Sequence, residues 1–199
     1  MKKIAIILSG CGHQEGTELT EAASVAICLS EAKIKYDYFA PEKVVNESGK
    51  ISRGKTKNLS DLNSKDYDGL VLPGGHGVVK NLMNVSDLEQ AESINPVLKK
   101  QILNFNLEYK PIAAICIAPV LIAKILGHKK PTLTVGNDTH LSSLIKKWGA
   151  IHENCPVTDY ISDRDCKILS TPAYMYEEAS AYEVYSGIKS MLTEFVEMC

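Results

Sequence analysis

The sequence has little of what nucleic-acid-binding and membrane proteins need. Its 199 residues include 22 lysines and arginines against 24 aspartates and glutamates, which gives a formal net charge of −2. This balance supplies no basic surface for a phosphate backbone, so we expect no nucleic-acid partner. The longest apolar run, 111–123, has 13 residues and two prolines, whereas a membrane span needs ~20. We therefore expect no membrane association.

The sequence also lacks closely spaced cysteines and a secretion signal. Its six cysteines form no CxxC pair, which predicts six reduced thiols rather than a disulfide scaffold. No Cys/His spacing matches a metal site, so we expect no metal and no cofactor. The apolar run 4–8 is too short for a signal peptide and has no small-residue cleavage site after it. These features predict a cytoplasmic protein.

Strand-like and helix-like segments alternate along the chain. Apolar runs at 3–8, 68–72 and 111–116 each end in a turn and precede residues with helical spacing. This alternation is typical of a three-layer α/β domain with a mostly parallel sheet, and we predict one domain over 1–199. Thr17 is predicted to cap the first helix. Residues 43–57 are predicted to form a small hairpin-like insert that turns at 46–49.

Cys116 carries the sharpest functional signal in the sequence. It lies where an apolar strand meets an apolar helix, with Ala114 and Ala118 two positions before and after it. This spacing is that of a strand–turn–helix nucleophile elbow, with alanine in place of glycine. The helix N-terminus is expected to lower the pKa of the thiol. The alternative is a buried core cysteine, a common interior residue.

Two further turns are predicted at the same edge of the sheet, where parallel α/β sheets bind ligands. After the third strand, Gly74 and Gly75 would let backbone N–H groups approach an oxyanion, or they form an ordinary tight turn. Glu18 follows the first turn and could act as a general base near Cys116, or serve only as a helix N-terminal acid.

Histidines and a second thiol could join this site. His76 follows the Gly-Gly turn, and His13 lies in the first loop, so either could face Cys116 or lie exposed on its loop. Cys11 could form a redox pair with Cys116 or be a separate thiol in the same pocket. Tyr174 could line the pocket rim or pack against the last helix.

The segments ILSGCG, LPGGHG, AAICIAP and STPAYM, together with Glu18, resemble the ThiJ/PfpI branch of the class I glutamine amidotransferase-like superfamily. Within that branch they are most similar to the ElbB-like group, which is isoprenoid-biosynthesis-associated and glyoxalase-like. The resemblance implies a flavodoxin-like α/β/α sandwich and a homodimer. It matches Cys116 to the nucleophile, Glu18 to the acid that contacts it, and the amides of Gly75 and Ile117 to the oxyanion hole.

The resemblance also implies an activity, which is the cofactor-free conversion of glyoxal or related small 2-oxoaldehydes to hydroxy acids through a hemithioacetal on Cys116, and we expect this turnover to be weak. Ile117 stands where glutaminases and PfpI-type hydrolases have a histidine, so we expect neither glutamine hydrolysis nor peptidase activity. The alternative is a non-enzymatic protein associated with isoprenoid biosynthesis, which would use the same thiol to sense redox state or bind a metabolite.

Overall fold

A computed structural model describes residues 2–83, 88 and 94–199. Its main sheet has seven strands in the order β3-β2-β1-β4-β5-β9-β8. All neighbouring pairs are parallel except β8 and β9, which pair antiparallel. The strands are β1 (Lys3–Ile7), β2 (Lys35–Ala40), β3 (Thr56–Asn58), β4 (Gly69–Leu72), β5 (Ile112–Ile115), β8 (Ile161–Asp163) and β9 (Ile168–Thr171). Two short strands, β6 (Thr132–Leu133) and β7 (Ile151–His152), form a separate parallel pair.

The helices cover both faces of the sheet because neighbouring strand residues point to opposite sides. They are α1 (Leu19–Glu31), α2 (Val45–Ser52), α3 (Pro96–Leu107), α4 (Ala118–Leu126), α5 (Thr139–Lys147) and α6 (Ala181–Met198). In β1, Ile4 and Ile6 pack with α1 and α6, whereas Ala5 and Ile7 pack with α3, α4 and α5. The predicted α/β/α sandwich with a mostly parallel sheet is confirmed. No helix in the described ranges is long and apolar enough to cross a membrane.

The predicted hairpin at 43–57 is wrong. Residues 45–52 form α2, and β3 then joins the edge of the sheet parallel to β2. Gly49 lies inside the helix, and the chain turns instead at Arg53, where φ is 57°. Ser48 is fully buried, and its hydroxyl accepts a hydrogen bond from the N–H of Gly10 at 3.0 Å. Small buried side chains on one helical face thus let α2 pack against the first loop.

The cap of α1 also differs from the prediction. Glu18, not Thr17, is the N-cap, and its carboxylate accepts from the N–H of Glu21 at 2.7 Å. The Thr17 hydroxyl instead accepts from the N–H of Ser9 at 2.7 Å, because Thr17 is fully buried against the end of β1. This one-residue shift places Glu18 at the helix entrance and Glu21 one turn further in.

Candidate active site

Cys116 occupies the tight turn between β5 and α4. Its φ is 61°, a left-handed conformation that non-glycine residues seldom adopt and that tends to occur at functional sites. The N–H of Cys116 donates to the carbonyl of Thr171 at 2.9 Å, so the neighbouring strand β9 holds the turn in place. The residue is only 8% exposed. The geometry is that of the predicted elbow, with the side chain projecting beyond the end of the sheet.

Two backbone amides converge on the thiol. The N–H groups of Gly75 and Ile117 lie close enough to the Cys116 side chain to lower the pKa of its thiol, and these are the amides that the family resemblance assigned to an oxyanion hole. Gly75 has φ 96°, and a Cβ at this position would collide with the carbonyl of Gly16 and the N–H of Glu18. Glycine is therefore required for the loop to approach this closely.

The carboxyl group beside the thiol belongs to Glu21. This residue is fully buried, and its Oε2 accepts from the N–H of Gly74 at 2.8 Å. A Cβ at Gly74 would lie 2.6 Å from Cys116 Cβ and 2.8 Å from Glu21 Oε2, so the elbow and the acid both pack against the same side of Gly74. Glu21 Oε1 has no hydrogen-bond partner of good geometry among the described residues, which leaves it free to carry a proton.

Sequence reasoning missed Glu21 and assigned its role to Glu18. Glu18 lines the cavity in front of Cys116, but its carboxylate caps α1 rather than contacting the thiol. The two acids lie one helical turn apart, so the sequence alone does not show which of them faces inward. The available signal was the helical spacing, because Glu21 falls on the same face as the buried Val25 and Cys28.

Burial controls the ionisation of this pair. Burial raises the pKa of Glu21 to about 8, and the nearby charge of Glu18 adds to this rise, against hydrogen bonds from Gly74, Cys116 and Tyr174. Burial also raises the pKa of Cys116 well above its usual value, with Glu21 adding to the shift. The predicted lowering by the helix N-terminus is therefore wrong, because desolvation outweighs the two amides. Near neutral pH the site retains the carboxyl proton.

The raised pKa of Glu21 has a consequence for stability. Between pH 4.5 and 8 the native state holds a proton that the unfolded chain has released, so the free energy of unfolding should fall as pH rises through this range. The full contribution, present below pH 4.5, is roughly 3–5 kcal/mol. Chemical denaturation at pH 5 and pH 8 should show this loss in the wild type and not in Glu21→Gln. The control is Glu178→Gln, which alters an exposed acid and should keep the wild-type dependence of the free energy of unfolding on pH. The same dependence in Glu21→Gln would contradict the assignment of the raised pKa to Glu21.

The segment after β9 completes the site. Ala173 has φ 46°, and the short turn Ala173–Met175 brings two groups inward. The N–H of Tyr174 lies near Glu21 and lowers the pKa of its carboxyl group, and the Cys116 thiol donates to Met175 Sδ at 3.7 Å. Tyr174 itself lines the cavity, whereas the Tyr176 hydroxyl donates to the carbonyl of Cys155. The TPAYM motif therefore belongs to the site rather than only to helix packing.

A cavity of about 990 Å³ opens in front of Cys116. Both candidate histidines, His13 and His76, line it, and the N–H of His76 donates to the carbonyl of His13. Cys11 is not among the described residues that line the cavity, so Cys11 and Cys116 do not share this pocket. Cys11 instead has Lys50 of α2 as a charged neighbour. The described lining consists of His13, Gln14, Glu18, Gly75, His76, Val79, Leu88, Cys116, Ile117, Asp138, His140, Leu141, Tyr174, Met175 and Glu177.

Asp138 and His140 are lining residues that the sequence did not indicate. They come from the loop between β6 and the start of α5, where Asp138 caps the helix by accepting from the N–H of Leu141 at 2.8 Å. Within the described residues, no histidine hydrogen-bonds to the Cys116 side chain, and no three His, Cys, Asp or Glu side chains group as metal ligands. The chemistry of the site therefore centres on a thiol, a buried carboxyl group and two amides.

Comparisons with known proteins agree with this architecture. The human mitochondrial glutamine amidotransferase-like class 1 domain-containing protein 3 is 31% identical over 98% of this chain and 83% of its own length. An Ehrlichia chaffeensis isoprenoid biosynthesis protein with an amidotransferase-like domain has a TM-score of 0.93 and 32% identity, covering 100% of this chain and 99% of that structure. Candida albicans glyoxalase III shares the fold at 13% identity, with a TM-score of 0.66 and coverage of 99% and 97%. Residues 2–159 match the DJ-1/PfpI family, and the chain is therefore a member of that family.

Proposed function

We propose that the protein is a cofactor-free, glyoxalase-like enzyme that converts glyoxal or related 2-oxoaldehydes to hydroxy acids. The observation that carries the proposal is the buried pair of Cys116 and Glu21, of which Cys116 lines a solvent-accessible cavity and has the amides of Gly75 and Ile117 close to its sulfur. A thiol adds to an aldehyde without a strong acid, because the aldehyde carbon is already electrophilic. The demanding step is the movement of a carbon-bound proton, for which a carboxyl group with a raised pKa is suited.

The reaction balances without an external oxidant or reductant. Sγ of Cys116 adds to the aldehyde carbon, and the thiol proton passes to the carbonyl oxygen to give a hemithioacetal. The neutral carboxyl group of Glu21 then acts through both oxygens: one takes the proton from that carbon, while the other gives its own proton to the neighbouring carbonyl oxygen, which forms the enediol. The reverse exchange, with a proton given to the second carbon and the hydroxyl proton of the first taken back, yields the thioester of a hydroxy acid. Water cleaves the thioester, so that hydroxide joins the acyl carbon and a proton returns to the thiol. One substrate carbon is oxidised, the other is reduced, and the net reactant is water.

Two findings support an enzyme of this kind. Glu21 and Cys116 are both buried, and a positioned carboxyl group is most effective where its surroundings exclude most water. Glyoxalase III from Candida albicans has the same fold, which is consistent with chemistry of this type on this architecture. Glu21 takes the role that the resemblance implies for Glu18, because Glu21 is the acid beside the sulfur.

Cys116→Ala should abolish the formation of glycolate from glyoxal, because the hemithioacetal cannot form. The matched control is Cys11→Ala, which removes a thiol from the neighbouring loop outside the cavity and should leave turnover within about twofold of the wild type. Product formation can be followed by chromatography for each folded variant. Wild-type turnover that survives in Cys116→Ala would refute the proposed nucleophile.

A second function rests on the same sulfur. Met175 Sδ lies 3.7 Å from the thiol, and the amides of Gly75 and Ile117 would also stabilise a negatively charged oxidised sulfur. In that case the chain would report peroxide or bind a metabolite rather than turn over an aldehyde. The absence of hydroxy-acid formation by the wild type, together with stoichiometric oxidation of Cys116 by hydrogen peroxide, would favour this function over the enzyme.

A further inference from the structure

The cavity is much larger than glyoxal. Glyoxal has four heavy atoms, whereas the cavity of about 990 Å³ is at the upper end of the range for sites that hold drug-sized ligands. Cys116 and Ile117 lie at its inner wall, and exposed residues such as His13, His76 and His140 lie at its rim. An aldehyde bound to the thiol would therefore leave most of the cavity available to the rest of a longer substrate.

The charges of the residues that line the cavity limit the chemistry of the substrate beyond its aldehyde group. Three carboxyl groups line the cavity, from Glu18, Asp138 and Glu177, and the described lining contains no lysine or arginine. Phosphate and carboxylate ligands are normally bound by lysine, arginine or a cluster of free amides. In this cavity the two amides nearest the sulfur are already directed at it, so an anionic substituent would meet carboxylates without a cation to compensate.

The remaining wall suits an uncharged chain with hydroxyl groups. Gln14 and the histidines offer both donors and acceptors, the carboxylates accept hydrogen bonds, and Tyr174, Leu141 and Met175 add apolar surface to the lining. Hydroxyl groups can use both kinds of partner, and the carbon backbone between them can pack on the apolar side.

From this we infer the substrate class of the site, which rests on the proposed function: an uncharged, hydroxyl-bearing 2-oxoaldehyde longer than glyoxal, with phosphorylated and carboxylated aldehydes disfavoured. The aldehyde carbon lies at Cys116, and the hydroxylated chain extends toward Asp138, His140 and Glu177. The acidic wall selects against anions, and the volume accommodates the chain.

The test uses occupancy of the cavity, so that it does not depend on turnover. D-glyceraldehyde and its 3-phosphate ester differ only by the phosphate group and its charge. For each compound we would measure the concentration that half-protects Cys116 from alkylation by iodoacetamide. In the wild type, the concentration of glyceraldehyde that half-protects Cys116 should be at least tenfold lower than that of the phosphate ester. Equal or better protection by the phosphate ester would overturn the inference.

Reversing a charge at the rim of the cavity gives a second, independent test of the inference. Glu177 is exposed at the rim, so Glu177→Lys should improve protection by the phosphate ester about tenfold relative to protection by glyceraldehyde, because a lysine replaces a charge that repels the phosphate. The matched control is Glu178→Lys, a neighbour outside the described lining, which should change the phosphate value less than threefold. Equal effects of the two variants would also overturn the inference. Failure of the proposed function is a separate result, namely no hydroxy acid from any 2-oxoaldehyde, and it leaves the protection ratios measurable.

Discussion

Glu21→Gln is expected to lower kcat/KM for glycolate formation from glyoxal by about 10²–10⁴-fold, the usual contribution of a positioned general base. The substitution keeps the shape of the side chain and an acceptor for the N–H of Gly74, but removes the carboxyl group that exchanges protons with the substrate carbons. Addition of the thiol to the aldehyde does not need this group. Trapping of Cys116 by glyoxal should therefore persist while product formation falls, which can be followed by mass spectrometry and chromatography.

Glu18→Gln is the matched control for this result. It changes the acid one helical turn away, which lines the same cavity but caps α1. Its loss should cost less than about tenfold in kcat/KM, because its charge acts on Glu21 from a distance and glutamine keeps an acceptor for the cap. If Glu18→Gln is inactive while Glu21→Gln remains active, the assignment of the base is wrong and the expectation from the resemblance is right.

Gly74→Ala should produce the second large loss of activity. A methyl group at this position would lie 2.6 Å from Cys116 Cβ and 2.9 Å from the carbonyl of Ile115, so the elbow has to move away from Glu21. Displacements of about 1 Å in a reacting pair can cost 10²-fold in rate, and we expect at least that loss in kcat/KM. Overpacking should also lower the free energy of unfolding by about 1–3 kcal/mol, measurable by urea denaturation.

Gly49→Ala provides the comparison for Gly74→Ala. Gly49 lies inside α2, and a Cβ there meets nothing closer than Gly54 Cα at 3.8 Å. Alanine should therefore leave activity unchanged and raise stability by about 0.5–1 kcal/mol, because it favours the helix. Full activity in Gly74→Ala would show that the thiol and the acid need not stay at their observed separation, and would remove the geometric basis of the proposed reaction.

The layers of the fold were predictable because they follow from local patterns. Apolar runs such as that of β1 can be buried only between two layers, and the turn that follows each of them predicts where the strand ends. The helix α2 was not predictable in this way, because Asn46–Gly49 has the composition of a turn. Its helical form depends on burial of Ser48 against the first loop, which is a tertiary contact.

The parts of the candidate site that depend on local sequence were predictable in the same way. Cys116 and the amide of Ile117 are adjacent in the chain, so the elbow pattern identifies both. The helical spacing of α1 places Glu21 on its buried face, but the contact with the N–H of Gly74 that sets Glu21 beside the elbow is tertiary, and no local pattern contains it. His140 reaches the cavity because of the path of the chain after β6, which is likewise set by tertiary structure.

The candidate site joins segments that are distant along the chain. Glu21 meets Gly74 across 53 positions, and Cys116 meets Met175 across 59. Contacts of such separation form late in folding, since the chain must close large loops before they contribute. During synthesis the elbow cysteine therefore emerges well before β9 and its following turn can enclose it. For that interval the thiol lacks the burial that raises its pKa, and it should be most open to oxidation and alkylation in newly made chains.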